Sequence, residues 1–157
     1  MKPLGFLFFL LIAGISFGFS QDCQTVSAVP DGQLKLASGK IVLENDGVAP
    51  IKGGREVYAK LTNNSQVERD VSYVVAVEAL ETSKEGAKHF VTNCLSRGTL
   101  THDTSAVVLG SSSADAPVQW RVSVSFGPSS SDEEVGAILD YEVYSNPPKP
   151  KTSSPRK

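Results

Sequence analysis

From residue 39 to residue 145 the chain alternates apolar and polar positions over short windows, with a period of two rather than the 3.6 of a helix. In VQWRVSVSFG, residues 118–127, Trp120, Val122, Val124 and Phe126 fall on one face, with Gln119, Arg121, Ser123 and Ser125 on the other. In VGAILDYEVYS, residues 135–145, Val135, Ala137, Leu139, Tyr141 and Val143 face one way, while Asp140 and Glu142 face water. REVYAKLTN, residues 55–63, sets Val57, Ala59 and Leu61 against Glu56, Tyr58 and Lys60. One-sided strands of this kind belong to antiparallel sheets with one dry face.

DVSYVVAVEAL, residues 70–80, is different, because it carries apolar side chains on both faces and so reads as a central strand. GKIVLEN (39–45), AKHFVTNCL (87–95) and LTHDTSAVVLG (100–110) complete the set. Asn45-Asp46-Gly47 and ETSKEG (81–86) are turn signals, and Pro50 with Gly53-Gly54 adds punctuation. No long helical period occurs. The pattern predicts an all-β domain: an immunoglobulin-like antiparallel β-sandwich of about seven to eight strands. The antibody signature requires Cys, Trp, Cys in that order, and here Trp120 follows both cysteines, so the likeness is one of architecture alone.

The two ends of the chain break the pattern. Leu4 to Phe19 is an apolar run of 16 residues behind the single charge of Lys2. As a helix it reaches only ~24 Å, short of the roughly 30 Å core of a bilayer. Residues 1–20 therefore read as a signal peptide, with Gly18 and Ser20 as the small residues before the cut and Gln21 as the new first residue. Gln21 and Asp22 lie where a lipoprotein signal would be small or apolar, so Cys23 is not expected to carry lipid. The expected location is extracytoplasmic, secreted or periplasmic, with no stable membrane insertion once the signal is gone. At the other end, residues 146–157 (NPPKPKTSSPRK) hold four prolines and no apolar run, which predicts a disordered, basic, proline-rich tail. Residues 21–145 are left as the sandwich domain.

Cysteine count and charge sharpen this picture. Cys23 and Cys94 are the only cysteines, and in an exported chain an even number favours a disulfide between them. Residues 21–145 hold 10 basic and 17 acidic residues, a balance of −7, whereas the tail carries +4. An acidic body argues against nucleic acid as a partner.

Candidate chemistry is sparse. His102-Asp103-Thr104-Ser105 gathers catalytic residue types, but neighbours along a strand point to opposite faces, and the expected reading is a polar loop. Cys94 with His89 or His102 lacks the four closely paired ligands of a zinc site. Asp132-Glu133-Glu134 and Asp115 lack the spacing of a calcium loop. No metal or cofactor is expected. Asn63-Asn64-Ser65 makes Asn63 a glycosylation acceptor if the host is eukaryotic. Trp120 shares its face with aliphatic residues and is assigned to the core, which leaves Tyr58 and Tyr144, on outward faces, as candidates for surface binding. Pro147-Pro148-Lys149-Pro150 passes as a PxxP ligand, although most readers of such ligands are cytosolic.

These residues point to a non-enzymatic binding or structural module that meets a protein or carbohydrate on a sheet face or loop end. Two alternatives stand beside it. A small hydrolase built from loop carboxylates or serines requires a concave site with at least two acids or a perturbed histidine. A donor-strand assembly component requires a long, unprotected sheet edge.

Overall fold

The computed structural model describes residues 21–41, 48–64, 70–113, 118–126 and 139–147. Ten strands run through them: β1 (Gln21–Asp22), β2 (Gln24–Val26), β3 (Leu34–Ile41), β4 (Val48–Gly53), β5 (Glu56–Asn63), β6 (Val71–Thr82), β7 (Lys88–Leu100), β8 (Ser105–Ser111), β9 (Val118–Phe126) and β10 (Leu139–Ser145). They form two five-stranded sheets, β1-β7-β6-β9-β4 and β2-β8-β5-β10-β3. The all-β sandwich is the fold class that the alternation predicts.

Pairing within the sheets is nested. β6 pairs with β7, β5 with β8, β4 with β9 and β3 with β10, all antiparallel. The chain from β3 to β10 is thus one long hairpin, and cross-pairing of β6 with β9 and of β5 with β10 rolls it up. Its tip is the turn after β6, where Ser83 N–H bonds Ala87 O at 2.8 Å, Gly86 N–H bonds Ser83 O at 2.9 Å, and Gly86 takes a φ of 84° that glycine adopts at little cost. Apart from β6 and β7, consecutive strands from β3 to β10 alternate between sheets. That connectivity is the double Greek key of a jelly roll, and it differs from the immunoglobulin order, in which hairpins stay within a sheet. Alternation specifies which side of a strand is dry. It does not specify which sheet the strand joins, and the two sandwiches therefore look alike in sequence.

The core lies between the sheets. Val57, Ala59 and Leu61 of β5 and Leu139 and Val143 of β10 meet Val75 and Val77 of β6 and Trp120, Val122 and Val124 of β9, all buried. The assignment of Trp120 to the core holds: it is fully buried, and Nε1–H donates to Gly54 O at 3.1 Å. At Gly110 β8 passes close beneath β6, since a Cβ there would lie 2.5 Å from Val77 Cγ1. Val77 is β-branched and fully buried, so it has no room to yield. Gly110→Ala is expected to destabilise by about 1–3 kcal/mol through overpacking, read as a lower urea midpoint at unchanged slope.

Two features lie beyond the predicted strands. The Pro50 region, read as punctuation, includes β4, which tolerates proline because it is an edge strand with a register shift between Val48 and Ile51. The second is a strap at the N-terminus. β1 adds parallel to β7 in one sheet and β2 adds antiparallel to β8 in the other, so residues 21–26 change sheets at Cys23. There Cys23 N–H bonds Leu95 O at 2.7 Å, and the disulfide to Cys94 forms as expected, with Cα atoms 4.9 Å apart.

Candidate functional site

The outer face of the β7-β6-β9-β4 sheet has an unusual composition for a surface. Strand register sets its rows: Phe90 beside Leu80, then Thr92, Glu78 and Arg121, then Leu95, Ala76 and Ser123, then Arg97, Val74 and Ser125. Val74, Ala76, Leu80, Phe90 and Leu95 are all half-buried rather than polar. Short side chains at the centre leave a hollow of about 270 Å³ lined by Val74, Ala76, Ser123 and Ser125. Above it Arg121 spans three strands. Its Nε and Nη2 grip Glu78 at 2.5 and 2.9 Å, and its guanidinium carbon sits 4.4 Å from the Phe90 ring centroid. The planar fork matches the carboxylate and stacks on the aromatic face in one pose, which fixes a long side chain that would otherwise be mobile.

The hydrogen bonds from Arg121 hold the Glu78 carboxyl below its ordinary value of 4.5, against the opposing effect of burial. Between that lowered value and 4.5 the unfolded chain binds more protons than the folded one, so stability rises with pH across the window. The contribution is complete above 4.5 and is lost as pH falls through the folded value. Urea midpoints measured from about pH 6 to about pH 3 should therefore fall less steeply in Glu78→Gln than in the parent protein.

The opposite outer face, on β8-β5-β10-β3, is polar. Here the two nominated tyrosines prove to be cross-strand neighbours, Tyr58 on β5 directly opposite Tyr144 on β10. Both point outward as expected. Tyr58 is nevertheless only 5% exposed, set between Leu109 and Tyr144, so of the two only Tyr144 offers appreciable surface. Each phenol donates to a carboxylate two residues earlier, Tyr58 to Glu56 at 2.9 Å and Tyr144 to Glu142 at 3.0 Å. Burial, followed by these bonds to a carboxylate, raises both phenol pKa values. Glu142 also takes the Lys35 ammonium at 2.6 Å, with Lys60 at 3.8 Å, and the hydrogen bond from Lys35 is the largest influence holding its pKa low. Beside it a cleft of about 390 Å³ is lined by Lys35, Lys40, Thr62, Asn64, Asp140 and Glu142 among others. It holds two acids and two lysines, already paired in part: Asn64 donates to Asp140, and Lys35 to Glu142.

The remaining candidates scatter. His102 and Asp103 come together after all, with Nε2 and Oδ2 3.2 Å apart. They lie on a turn rather than a strand, with Asp103 at a φ of 57°. The hydroxyls of that tetrapeptide are engaged elsewhere: Thr104 Oγ1 donates to Thr101 O at 2.7 Å, and Ser105 Oγ shares a hydrogen bond with Thr62 Oγ1 at 2.7 Å. His89 lies across from Glu81, and Cys94 is consumed in the disulfide. Among the described residues no three His, Cys, Asp or Glu side chains gather as a metal site.

Asn63, the glycan acceptor expected if the host is eukaryotic, does not lie on the surface. It is fully buried, its Nδ2 donates to Leu100 O at 3.0 Å, and its backbone bonds both Thr104 O and Asp103 N–H at 3.0 Å. A glycan on that nitrogen would break the bond and has no space in the fold. The signal segment, Asp115, Asp132-Glu133-Glu134 and the tail beyond Pro147 lie outside the described residues.

The sheet edges bear on strand addition. On one side β1 pairs with β7 only at Cys94 and Leu95, and β2 with β8 only from Val107 to Leu109, so the rest of the β7 edge has no strand beside it among the described residues. On the other, β4 carries Pro50 and a register shift, while β3 shifts register between its partners Val143 and Tyr144 and carries Lys35 and Lys40. These are the usual protections against edge pairing. No family model matches the chain, and neither a curated protein nor a solved structure does so.

Proposed function

We propose that the protein is an exported, non-enzymatic binding or structural module that meets a protein partner on the outer face of β6 and its neighbours. The observation that carries this reading is β6 itself. Val75 and Val77 enter the core, yet Val74, Ala76 and Leu80 make the opposite face apolar too, and a strand apolar on both faces is one that is covered on both. Arg121 stacked on Phe90 beside that strip supplies the aromatic and arginine anchors typical of interface centres. Export is supported by the signal grammar and by the disulfide. Among the described residues, no helix is long and apolar enough to cross a membrane.

A photo-reactive residue placed at Ala76 of the natively exported protein should yield a discrete cross-linked protein adduct, and the same residue at Thr62 on the other sheet should not. Leu80→Asp should cut the Ala76 adduct by about tenfold or more. Equal labelling from both faces, or none from Ala76, contradicts the assignment.

The hydrolase reading draws on the cleft holding Asp140 and Glu142. Against it stands Glu142, whose pKa Lys35 lowers, whereas a general acid at neutral pH needs a raised one. The proline, lysines and register shifts of β4 and β3 weigh against the donor-strand reading at those edges, whereas the β7 edge, paired with β1 only at Cys94 and Leu95, speaks for it.

A further inference from the structure

We propose that the mature N-terminus of this protein is a modification site: Gln21 closes on itself to a pyroglutamyl lactam. The inference rests on the export reading, which places the cut between Ser20 and Gln21 and so makes Gln21 an N-terminal glutamine. In the structure Gln21 is the first paired residue of the strap, opposite Cys94 on β7. Its side chain is exposed and makes no hydrogen bond among the described residues, so nothing holds the carboxamide away from its own α-nitrogen.

The step is balanced without any co-reactant. The α-amino nitrogen attacks Cδ of the same residue, the N–Cδ bond forms, the Cδ–Nε2 bond breaks, and ammonia leaves with the proton released by the amine. An α-amino group with a pKa near ~7.7–8.0 is partly neutral at physiological pH. Holding both groups in one residue makes the attack intramolecular. The ring leaves the ψ angle of Gln21 free, so the pairing with Cys94 survives.

The strap gives this lactam a purpose. Only Gln21 and Asp22 separate the new terminus from Cys23, the residue that ties the strap to both sheets. An aminopeptidase that removed two residues would reach the staple, and a lactam has no free amine for it to engage.

The test uses the natively exported full chain. Free amines are reductively methylated first, so that ring closure during handling is not counted; the disulfide is then reduced, and the N-terminal peptide that trypsin releases at Arg55, the first arginine after Gln21, is weighed. The expected species begins at residue 21, unmethylated at its α-nitrogen and lighter than the open form by one ammonia. A peptide beginning at Gln21 with a methylated α-amine overturns the lactam and leaves export standing. A peptide beginning anywhere else overturns the lactam together with the cut between Ser20 and Gln21. In Gln21→Ala cut at the same bond, the terminus should be methylated, and aminopeptidase should remove residues from it while leaving the parent intact.

Discussion

Trp120→Ala is expected to destabilise the sandwich by about 3–5 kcal/mol, the range for emptying a fully buried aromatic site. The indole is fully buried, on a strand with neighbours on both sides: Ala79 of β6 and Ile51 of β4 are its cross-strand partners. Those partners are fixed by ladder hydrogen bonds and relax little, so most of the cavity remains. The substitution also removes the donor to Gly54 O, at the bend between β4 and β5. That bend is further held by Ser145, whose Oγ accepts Gly54 N–H at 2.5 Å and donates to Glu56 O at 2.7 Å. Since whole domains are stable by only about 5–15 kcal/mol, the variant should lie near the edge of folding. Trp120→Phe, which keeps most of the volume and loses the N–H, should cost distinctly less. As Trp120 is the sole tryptophan, urea unfolding is best followed by far-ultraviolet circular dichroism. A loss below about 1 kcal/mol for alanine would place the indole at the surface and contradict the strand register.

Replacing both cysteines by alanine is expected to cost roughly 4 kcal/mol, from the entropy of the unfolded chain once the Cys23–Cys94 tie across 71 positions is gone. Cys94 is 5% exposed and belongs to the core cluster, so alanine, which adds no buried polar group, is the cleaner replacement than serine. A local effect should accompany the global one. The strap is paired over only two residues on β7 and three on β8, and open grooves flank it, one of about 520 Å³ lined by Thr25, Leu95 and Arg97 among others. Without the staple the Cys23 position should open readily, and its amide, bonded to Leu95 O, should exchange with solvent far faster than the amides of β6. A variant as stable as the parent would mean that the bond does not form.

Much of this fold is legible in the sequence because burial has a period. Val57, Ala59 and Leu61, or Trp120, Val122 and Val124, announce their dry face by spacing alone, and the two-sided stretch Tyr73 to Leu80 marks a central strand. The path of the chain between sheets is not legible in this way. It depends on which edges meet when the hairpin rolls, a matter of long-range pairing that leaves no local trace. β4 is hidden for a second reason: Pro50 and the glycines that follow look like a turn until an edge position makes them acceptable.

The site divides along the same line. Glu78, Arg121 and Phe90 stand 12 to 43 positions apart in sequence, and only register brings them together, so single-residue reasoning favours the tyrosines instead. Tyr58 shows why facing outward is not the same as being exposed, since large neighbours on the same sheet face cover it. Asn63 matches a modification motif in sequence, but the turn at residues 101–104 closes over its backbone and turns a surface motif into a buried clamp.

The claim on which the rest depends is that this chain is an exported sandwich stapled at its N-terminus. The most direct test is the intact mass of the natively exported protein, alkylated once before reduction and once after. The expected result is a chain lacking residues 1–20 that takes up no label until reduced and then takes up two. A chain that retains those residues, or cysteines that react without reduction, would contradict it.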